Sequence, residues 1–168
     1  YPHLIMQYNI SPETLIDRNI DIVFFDHIGQ GRSSGLRGHV NDIDAEHACD
    51  LQQVIQQLTD PDLPLFLLAH SMGSMATTRT IQQFPDIAVA VGFSSPLWKP
   101  KFPGGMDVET ARNLAESQVS LGLSEQEIIP SEGRSSCEEA KMTHDCELYD
   151  QFADDPLTII PGATWGAG

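Results

Sequence analysis

The chain has 168 residues, 40% of them hydrophobic, and its 24 acidic and 9 basic side chains give a formal net charge of −15. This length and composition are typical of one soluble domain, or of one domain with an appendage, and they exclude disordered and collagen-like chains. The acidic surface would repel a phosphate backbone, so we expect no nucleic-acid partner.

No stretch approaches the ~18 to 20 consecutive apolar residues that a membrane span needs. The chain opens at Tyr1 without the charged and apolar regions of a signal peptide. We therefore expect a cytoplasmic protein that reaches the inner membrane, if at all, by weak peripheral contact through a small apolar patch. The sequence leaves the oligomeric state open.

The three cysteines, Cys49, Cys137 and Cys146, are odd in number and match no zinc-binding or Cys-x-x-Cys spacing. We interpret them as reduced thiols in packing or surface positions. A pair between Cys137 and Cys146 in an oxidising compartment is the alternative.

The first predicted elements are a short helix and a strand. Ser11 is suited to cap a helix that has Pro12 in its first turn. The run 20–25 is β-branched, aromatic and almost continuously apolar, as expected of a parallel strand that is covered on both faces. The following segment, 26–35, is predicted to be a loop because of its glycines.

The next elements alternate between helix and strand. Asn41 and Asp42 offer cap oxygens to a helix whose apolar residues fall on one face. Strands are predicted at 65–69 and 87–93, on either side of a helix that Pro85 stops. This alternation predicts an α/β architecture with a parallel sheet.

The composition changes after Pro96. Prolines and glycines precede helix-like stretches around 107–121 and 144–153, and no strand is predicted between them. We therefore predict two parts, a partial α/β core in residues 1–96 and a partial, mainly helical cap in residues 97–168.

The five residues 69–73 (Ala-His-Ser-Met-Gly) lie between a predicted strand and a predicted helix. A nucleophile elbow needs this context, because the serine must project from a tight turn at the carboxyl edge of the sheet. Ser71 is then the nucleophile, and the backbone N–H of Met72 is one oxyanion donor. Ala69 and Gly73 supply the small residues that would relieve crowding around the turn.

The alternative for Ser71 is structural. A lone small-x-Ser-x-Gly pattern is common by chance, and a serine after a strand often does no more than cap a helix. The strand before Ser71, the helix after it and the glycine loop upstream agree with one architecture, and they favour the nucleophile.

Four segments carry a resemblance to a known family: Asp26–Ser33 (Asp-x-x-Gly-x-Gly-x-Ser), Ala69–Gly73, Phe93–Pro96, and Met142–Asp145 with Tyr149 and Gly162–Gly166. Together they resemble the bacterial L2-type lysophospholipases and the monoacylglycerol lipases of the α/β-hydrolase superfamily. The resemblance spans essentially the whole chain. It implies a parallel hydrolase sheet with a helical cap.

The resemblance also implies a chain order of Ser, then acid, then His, with the acid and the His beyond the cap. His144 is the only histidine after Ser71, and its setting is typical of the start of a cap helix. No His-Gly loop for a second oxyanion donor precedes the core, since Leu4 follows His3. We therefore expect a middle segment of a longer enzyme, with little activity by itself. The carboxylates after Ser71 are interpreted as a solvated acidic face: Asp107, Asp145, Asp150, Asp154 and Asp155.

The remaining histidines are assigned structural roles. His70 is expected to pack or form a hydrogen bond near the site, and His27 to form a structural hydrogen bond in the glycine loop. His39 and His47 are interpreted as surface or helix residues. No set of residues has metal-ligand spacing, and the loop lacks the third glycine of a dinucleotide fingerprint. We expect neither a metal nor a cofactor.

The leading hypothesis is a serine hydrolase that cleaves the acyl ester of a lysophospholipid or monoacylglycerol, with an apolar acyl channel in the cap. The first alternative keeps the fold but changes the substrate to a short ester, a peptide or another small ester-like molecule. The second is a hydrolase fold that serves as a non-catalytic binding or structural module.

Overall fold

The computed structural model describes residues 12–98, 105–125, 136–140, 144–155 and 157. The chain divides into two compact units. The first unit comprises residues 1–38 and 127–163, and the second comprises residues 39–126 and 164–168.

The first unit begins with the short helix α1, Pro12–Ile16. The cap predicted for it, Ser11, lies outside the described residues. The glycine loop follows, and it bends tightly around Asp26. A Cβ atom at Gly31 would collide with the carboxylate of Asp26, and the φ angle of Gly31 is +47°. Only glycine fits this position without strain.

The predicted strand at 20–25 is wrong for the described structure, in which these residues belong to no strand. Three of its apolar side chains, Ile20, Val23 and Phe24, are exposed. A parallel strand forms where a neighbour exchanges ladder hydrogen bonds with it. No strand in the described part of the chain supplies those bonds to 20–25.

Two helices of the first unit are joined by a disulfide. These are α2, Cys137–Ala140, and α3, Cys146–Asp154. Cys137 and Cys146 are bonded, with their Cα atoms 5.4 Å apart. The interpretation of both as reduced thiols is therefore wrong, and Cys49 is the free cysteine of the described residues. The spacing alone could not show that the two Cα atoms lie within disulfide range.

The second unit begins with a π-helical segment, Ile43–Ala48, which continues as helix α4, Cys49–Leu58. Asp42 caps it, as predicted: its carboxylate accepts from the N–H groups of Asp44 at 2.8 Å and Ala45 at 2.9 Å. The sequence predicted one continuous α-helix, whereas the first turns of the helix in the structure are π-helical and therefore wider.

The sheet of the described residues has two parallel strands, β1, Phe66–His70, and β2, Ala90–Ser94, with helix α5, Gly73–Gln83, between them in the chain. The register pairs Phe66 with Ala90 and His70 with Ser94. Both predicted strands are therefore present, although β2 begins three residues later than expected. The parallel pair and its connecting helix confirm the α/β class.

Helix α6, Val108–Ser120, is the predicted helix that follows the sheet. Asp107 caps it by accepting from the N–H of Thr110 at 2.8 Å. Within the described ranges, no helix is both long enough and apolar enough to cross a membrane.

The core of the second unit lies where α5 packs against the π-helical segment and β1. Ala48 and Thr80 are fully buried, and the Thr80 hydroxyl donates to the carbonyl of Ala76 at 2.8 Å. Only one face of β1 is covered. Ala69 is buried on that face, whereas Phe66 and Leu68 on the other face are 65% and 68% exposed.

Candidate active site

Ser71 lies at the turn between β1 and α5. Its φ angle is +49°, a left-handed conformation that is uncommon for a residue with a side chain. The serine is exposed and directly follows the carboxyl end of β1. A strand, a strained serine and a helix in this order are the parts of a nucleophile elbow.

The backbone of Ser71 is held on both sides. Its N–H donates to the carbonyl of Ser94 at 3.2 Å, which continues the parallel ladder one step past the end of β1. Its carbonyl accepts from the N–H of Ser74 at 3.0 Å and from the N–H of Leu97 at 3.4 Å. The segment after β2 therefore fixes the turn that carries the serine.

Met72 caps α5 with backbone angles of −57° and −33°. The backbone hydrogen bonds of the described residues leave its N–H unused, and its carbonyl accepts from Met75. The first N–H groups of a helix lack partners within that helix, and the helix dipole makes this end positive. The Met72 N–H is thus suited to receive an anionic oxygen bound beside Ser71.

The two small residues of the motif have different surroundings. Ala69 is buried beneath the turn. A Cβ atom added at Gly73 would meet no atom within 4 Å. The expectation that Gly73 relieves crowding is therefore wrong, because there is room for a methyl group at this position.

His70 is half-buried beside Ser71, and its Nδ1 lies 3.2 Å from Oγ of Ser94. It forms the side-chain hydrogen bond near the site that the sequence predicted. Ser94 therefore contacts two consecutive residues of the turn, His70 through its hydroxyl and Ser71 through its carbonyl.

The glycine loop belongs to the first unit, where its contacts stabilise the loop itself. The Asp26 carboxylate accepts from the N–H of Arg32 at 2.9 Å, and the Asp26 carbonyl accepts from the hydroxyl of Ser33. The ring of His27 packs edge-to-face on Phe25 with centroids 4.6 Å apart. This ring contact is structural, and the hydrogen bond expected for His27 stays a prediction.

The other predicted histidines are spread over both units. His39 contacts Asn41 through Nε2 at 3.0 Å and is half-buried. His47 is buried in the π-helical segment, which makes it a core residue of the second unit. His144 is exposed and lies just before α3, the helix predicted at 144–153.

The acidic residues after Ser71 have helix roles in the structure. Asp107 caps α6, and the hydrogen bond from the Thr110 N–H holds the pKa of its carboxyl below the ordinary value. Asp145 accepts from the N–H of Leu148 at 3.0 Å at the start of α3. Asp150 and Asp154 lie within that helix. None of these carboxylates follows a strand of the described part.

No cluster of three or more metal-ligating side chains occurs in the part of the chain that the structure describes.

Sequence reasoning missed two residues of the site, Ser94 and Leu97. The resemblance includes the segment Phe93–Pro96 but implies no role for it in the site. A signal was available: the carboxyl ends of parallel strands meet at one edge of a sheet, so the residues after β2 had to lie near the turn after β1. Ser95, with a φ angle of +44°, is the second strained residue at this edge.

The profile of one protein family matches residues 5–168 of the chain. This family is Hydrolase_4, described as serine aminopeptidase, S33. The match covers nearly the whole chain, including the turn at Ser71.

The chain is similar to two kinds of curated protein. It is 33% identical over 170 residues to lysophospholipase L2 of Escherichia coli K12, which covers 90% of this chain and 48% of that protein. It is 35% identical over 148 residues to the monoglyceride lipase of Mus musculus, covering 86% of this chain and 46% of that protein. The chain therefore spans about half the length of the relatives it matches.

A solved structure has the same fold. The crystal structure of a monoacylglycerol lipase from Paleococcus ferrophilus matches with a TM-score of 0.68 and 22% identity. The match covers 92% of this chain and 55% of that one. The two-stranded parallel sheet and its helices are accordingly part of an α/β-hydrolase fold.

Proposed function

Because the chain belongs to the Hydrolase_4 family (serine aminopeptidase, S33), we propose that it is part of a serine hydrolase whose nucleophile is Ser71. One observation carries this proposal: Ser71 has a φ angle of +49° at the turn from β1 into α5. A strained serine at this position is the structural signature of an elbow, and an ordinary helix cap would not need the strain.

The proposed chemistry is acyl transfer. Oγ of Ser71 attacks the carbonyl carbon of an ester, and the N–H of Met72 donates to the oxyanion that forms. The alcohol leaves, and water then releases the fatty acid from the acylated serine. Such a serine needs a histidine base and an acid to orient that base. His144 lies just before helix α3 and follows no strand of the described residues, so we place the base, the acid and the second oxyanion donor outside these 168 residues.

The proposed substrate is a lipid with one acyl ester, either a lysophospholipid or a monoacylglycerol. Similarity to lysophospholipase L2 and to monoglyceride lipases supports this substrate class. In this proposal residues 1–96 form part of the core and residues 97–168 part of a cap with an apolar acyl channel. Peripheral contact with the inner membrane belongs to the same proposal, whereas the Cys137–Cys146 disulfide is typical of an oxidising compartment and counts against the expected cytoplasmic location.

A peptidase is the second candidate, because the matching family is described as a serine aminopeptidase. The elbow itself does not separate the two activities, since esters and amides use the same nucleophile and oxyanion site. Substrate preference decides between them.

The test uses the longest natural protein that contains this chain. We expect it to release fatty acid from lysophosphatidylcholine or monoacylglycerol, and we expect Ser71→Ala to lower kcat by about 10⁴- to 10⁶-fold. Thr59→Val, which removes a hydroxyl at the far end of α4, is the control and should leave kcat unchanged.

The 168-residue chain alone should show little or no turnover, because the proposal places the base outside it. Turnover that survives Ser71→Ala would overturn the role of Ser71. Cleavage of aminoacyl anilides, with no cleavage of either lipid, would favour the peptidase. An inactive full-length protein would favour a non-catalytic module.

A further inference from the structure

Ser94 lies at the end of β2, where the parallel register pairs it with His70. The ladder continues one step further, because the N–H of Ser71 donates to the carbonyl of Ser94 at 3.2 Å. Ser71 lies outside regular secondary structure, yet this hydrogen bond joins its backbone to the end of β2.

The two residues after Ser94 turn the chain back toward the serine. Ser95 has a φ angle of +44° and directly precedes Pro96. A left-handed residue with a side chain is strained, and the residue before a proline is biased toward extended conformations. This turn places the N–H of Leu97 3.4 Å from the carbonyl of Ser71. The strained residue after β1, Ser71, thus accepts a hydrogen bond from the strained turn after β2.

The side chain of Ser94 makes a separate contact. Its Oγ lies 3.2 Å from Nδ1 of His70, and both residues are half-buried. This hydrogen bond limits rotation of the imidazole ring that immediately precedes Ser71. The hydroxyl of Ser94 therefore acts on the site independently of its carbonyl.

We propose that Ser94 is a positioning residue for the reaction: its carbonyl sets the direction of the Ser71 turn, and its hydroxyl fixes the ring of His70 beside the nucleophile. The inference rests on the proposed function of Ser71. Ser94 does not touch the reacting atoms. It acts by keeping Oγ of Ser71 and the N–H of Met72 in a fixed relation, and small displacements of such groups cost much of the rate.

The test is Ser94→Ala in the longest natural protein that contains this chain. The substitution leaves the carbonyl in place and removes only the hydroxyl. We expect kcat on a monoacylglycerol to fall about tenfold while KM stays within about twofold, because the loss lies in the transition state. Ser94→Thr keeps a hydroxyl and should restore most of kcat.

The matched control is Thr59→Val. Thr59 Oγ1 also makes a partly buried hydrogen bond, to the carbonyl of Ile55 at 2.7 Å, but it lies at the end of α4. Its loss should leave kcat unchanged. The ¹⁵N signals of the His70 ring provide a second measurement: they should shift in Ser94→Ala and stay in place in Thr59→Val.

The outcomes separate this inference from the function on which it rests. If Ser71→Ala is inactive but Ser94→Ala has the same kcat as Thr59→Val, the role of Ser94 alone is overturned. An effect confined to KM, or His70 signals that do not move, would overturn it as well. Full activity of Ser71→Ala would overturn both proposals. Should Ser94→Ala fail to fold, Ser94→Cys serves instead, because its thiol is a weaker hydrogen-bonding group of similar shape, and kcat should again fall.

Discussion

Ser71 carries a side chain at a φ angle of +49°, where the backbone favours glycine. The left-handed region costs a residue with a Cβ atom roughly 1–2 kcal/mol, and a protein retains such a residue when its side chain is needed. The strain at Ser71 is therefore a measurable property, separate from any assay of activity.

We expect Ser71→Gly to be more stable than Ser71→Ala by about 1 kcal/mol, because glycine adopts this φ without the steric cost, although it gains entropy in the unfolded chain. Chemical unfolding of the two variants, compared at their midpoints, measures the difference. The same pair of substitutions at Ser117, inside α6, is the control. There glycine should be the less stable by roughly 0.5–1 kcal/mol. If the glycine variant were the less stable of the pair at Ser71 as well as at Ser117, the assignment of strain to Ser71 would be contradicted.

Helix α6 begins at Asp107, whose carboxylate accepts from the N–H of Thr110 at 2.8 Å. That hydrogen bond is the main cause of the lowered pKa of Asp107. A carboxyl group with a lowered pKa in the folded state stabilises the fold above its unfolded pKa. The contribution disappears as the pH falls through the folded value.

We therefore expect the first turn of α6 to loosen as the solution is acidified below the ordinary aspartate pKa of 3.8. The amide signal of Thr110, followed by NMR as the pH is lowered, reports this change. Asp107→Asn keeps a capping oxygen that does not titrate, so its Thr110 signal should stay nearly constant. A Thr110 signal that titrates equally in both proteins would refute the assignment.

Helix starts could be predicted from the sequence, because capping is decided by residues within one turn. Asp42 is a cap that the sequence predicted, and the helices predicted at 107–121 and 144–153 begin beside Asp107 and Asp145. Strand β1 was predictable for a similar reason, since five consecutive apolar residues, 65–69, lead into the motif and end at its first residue.

Features that depend on distant partners could not be predicted. Residues 20–25 have the composition of a strand, but no strand of the described part pairs with them. The disulfide between Cys137 and Cys146 depends on how two helices meet, and spacing alone does not give that. The same holds for the candidate site: five residues predict the turn that carries Ser71, whereas the place of Ser94 beside it depends on the register of β1 and β2.

A further contact between residues that are distant in the chain joins the π-helical segment to α5. The guanidinium of Arg79 donates through Nε and Nη2 to the carboxylate of Asp44, 35 residues earlier in the chain. This hydrogen bond holds the pKa of Asp44 below its ordinary value. Both side chains are more than a third exposed, so water screens the pair. The contact orients the two helices more than it stabilises the fold.

At the scale of the whole molecule, two features act against each other. The net charge of −15 makes molecules of this chain repel, whereas Phe66 and Leu68 leave an apolar face of β1 in water. Exposed apolar strands tend to associate. Charge repulsion reaches about 10 Å in 0.1 M salt but only about 3 Å in 1 M salt, so salt decides which feature prevails.

Because this apolar face of β1 is exposed, we expect association between molecules of the 168-residue chain to depend on ionic strength. We expect light scattering to detect single molecules in dilute salt and growing assemblies as sodium chloride approaches 1 M. The double variant Phe66→Thr/Leu68→Thr keeps residues that favour strands and should remain dispersed over the same range. Assemblies of equal size in both proteins would assign the attraction to another surface. Purification at low ionic strength is then the condition under which this chain stays dispersed.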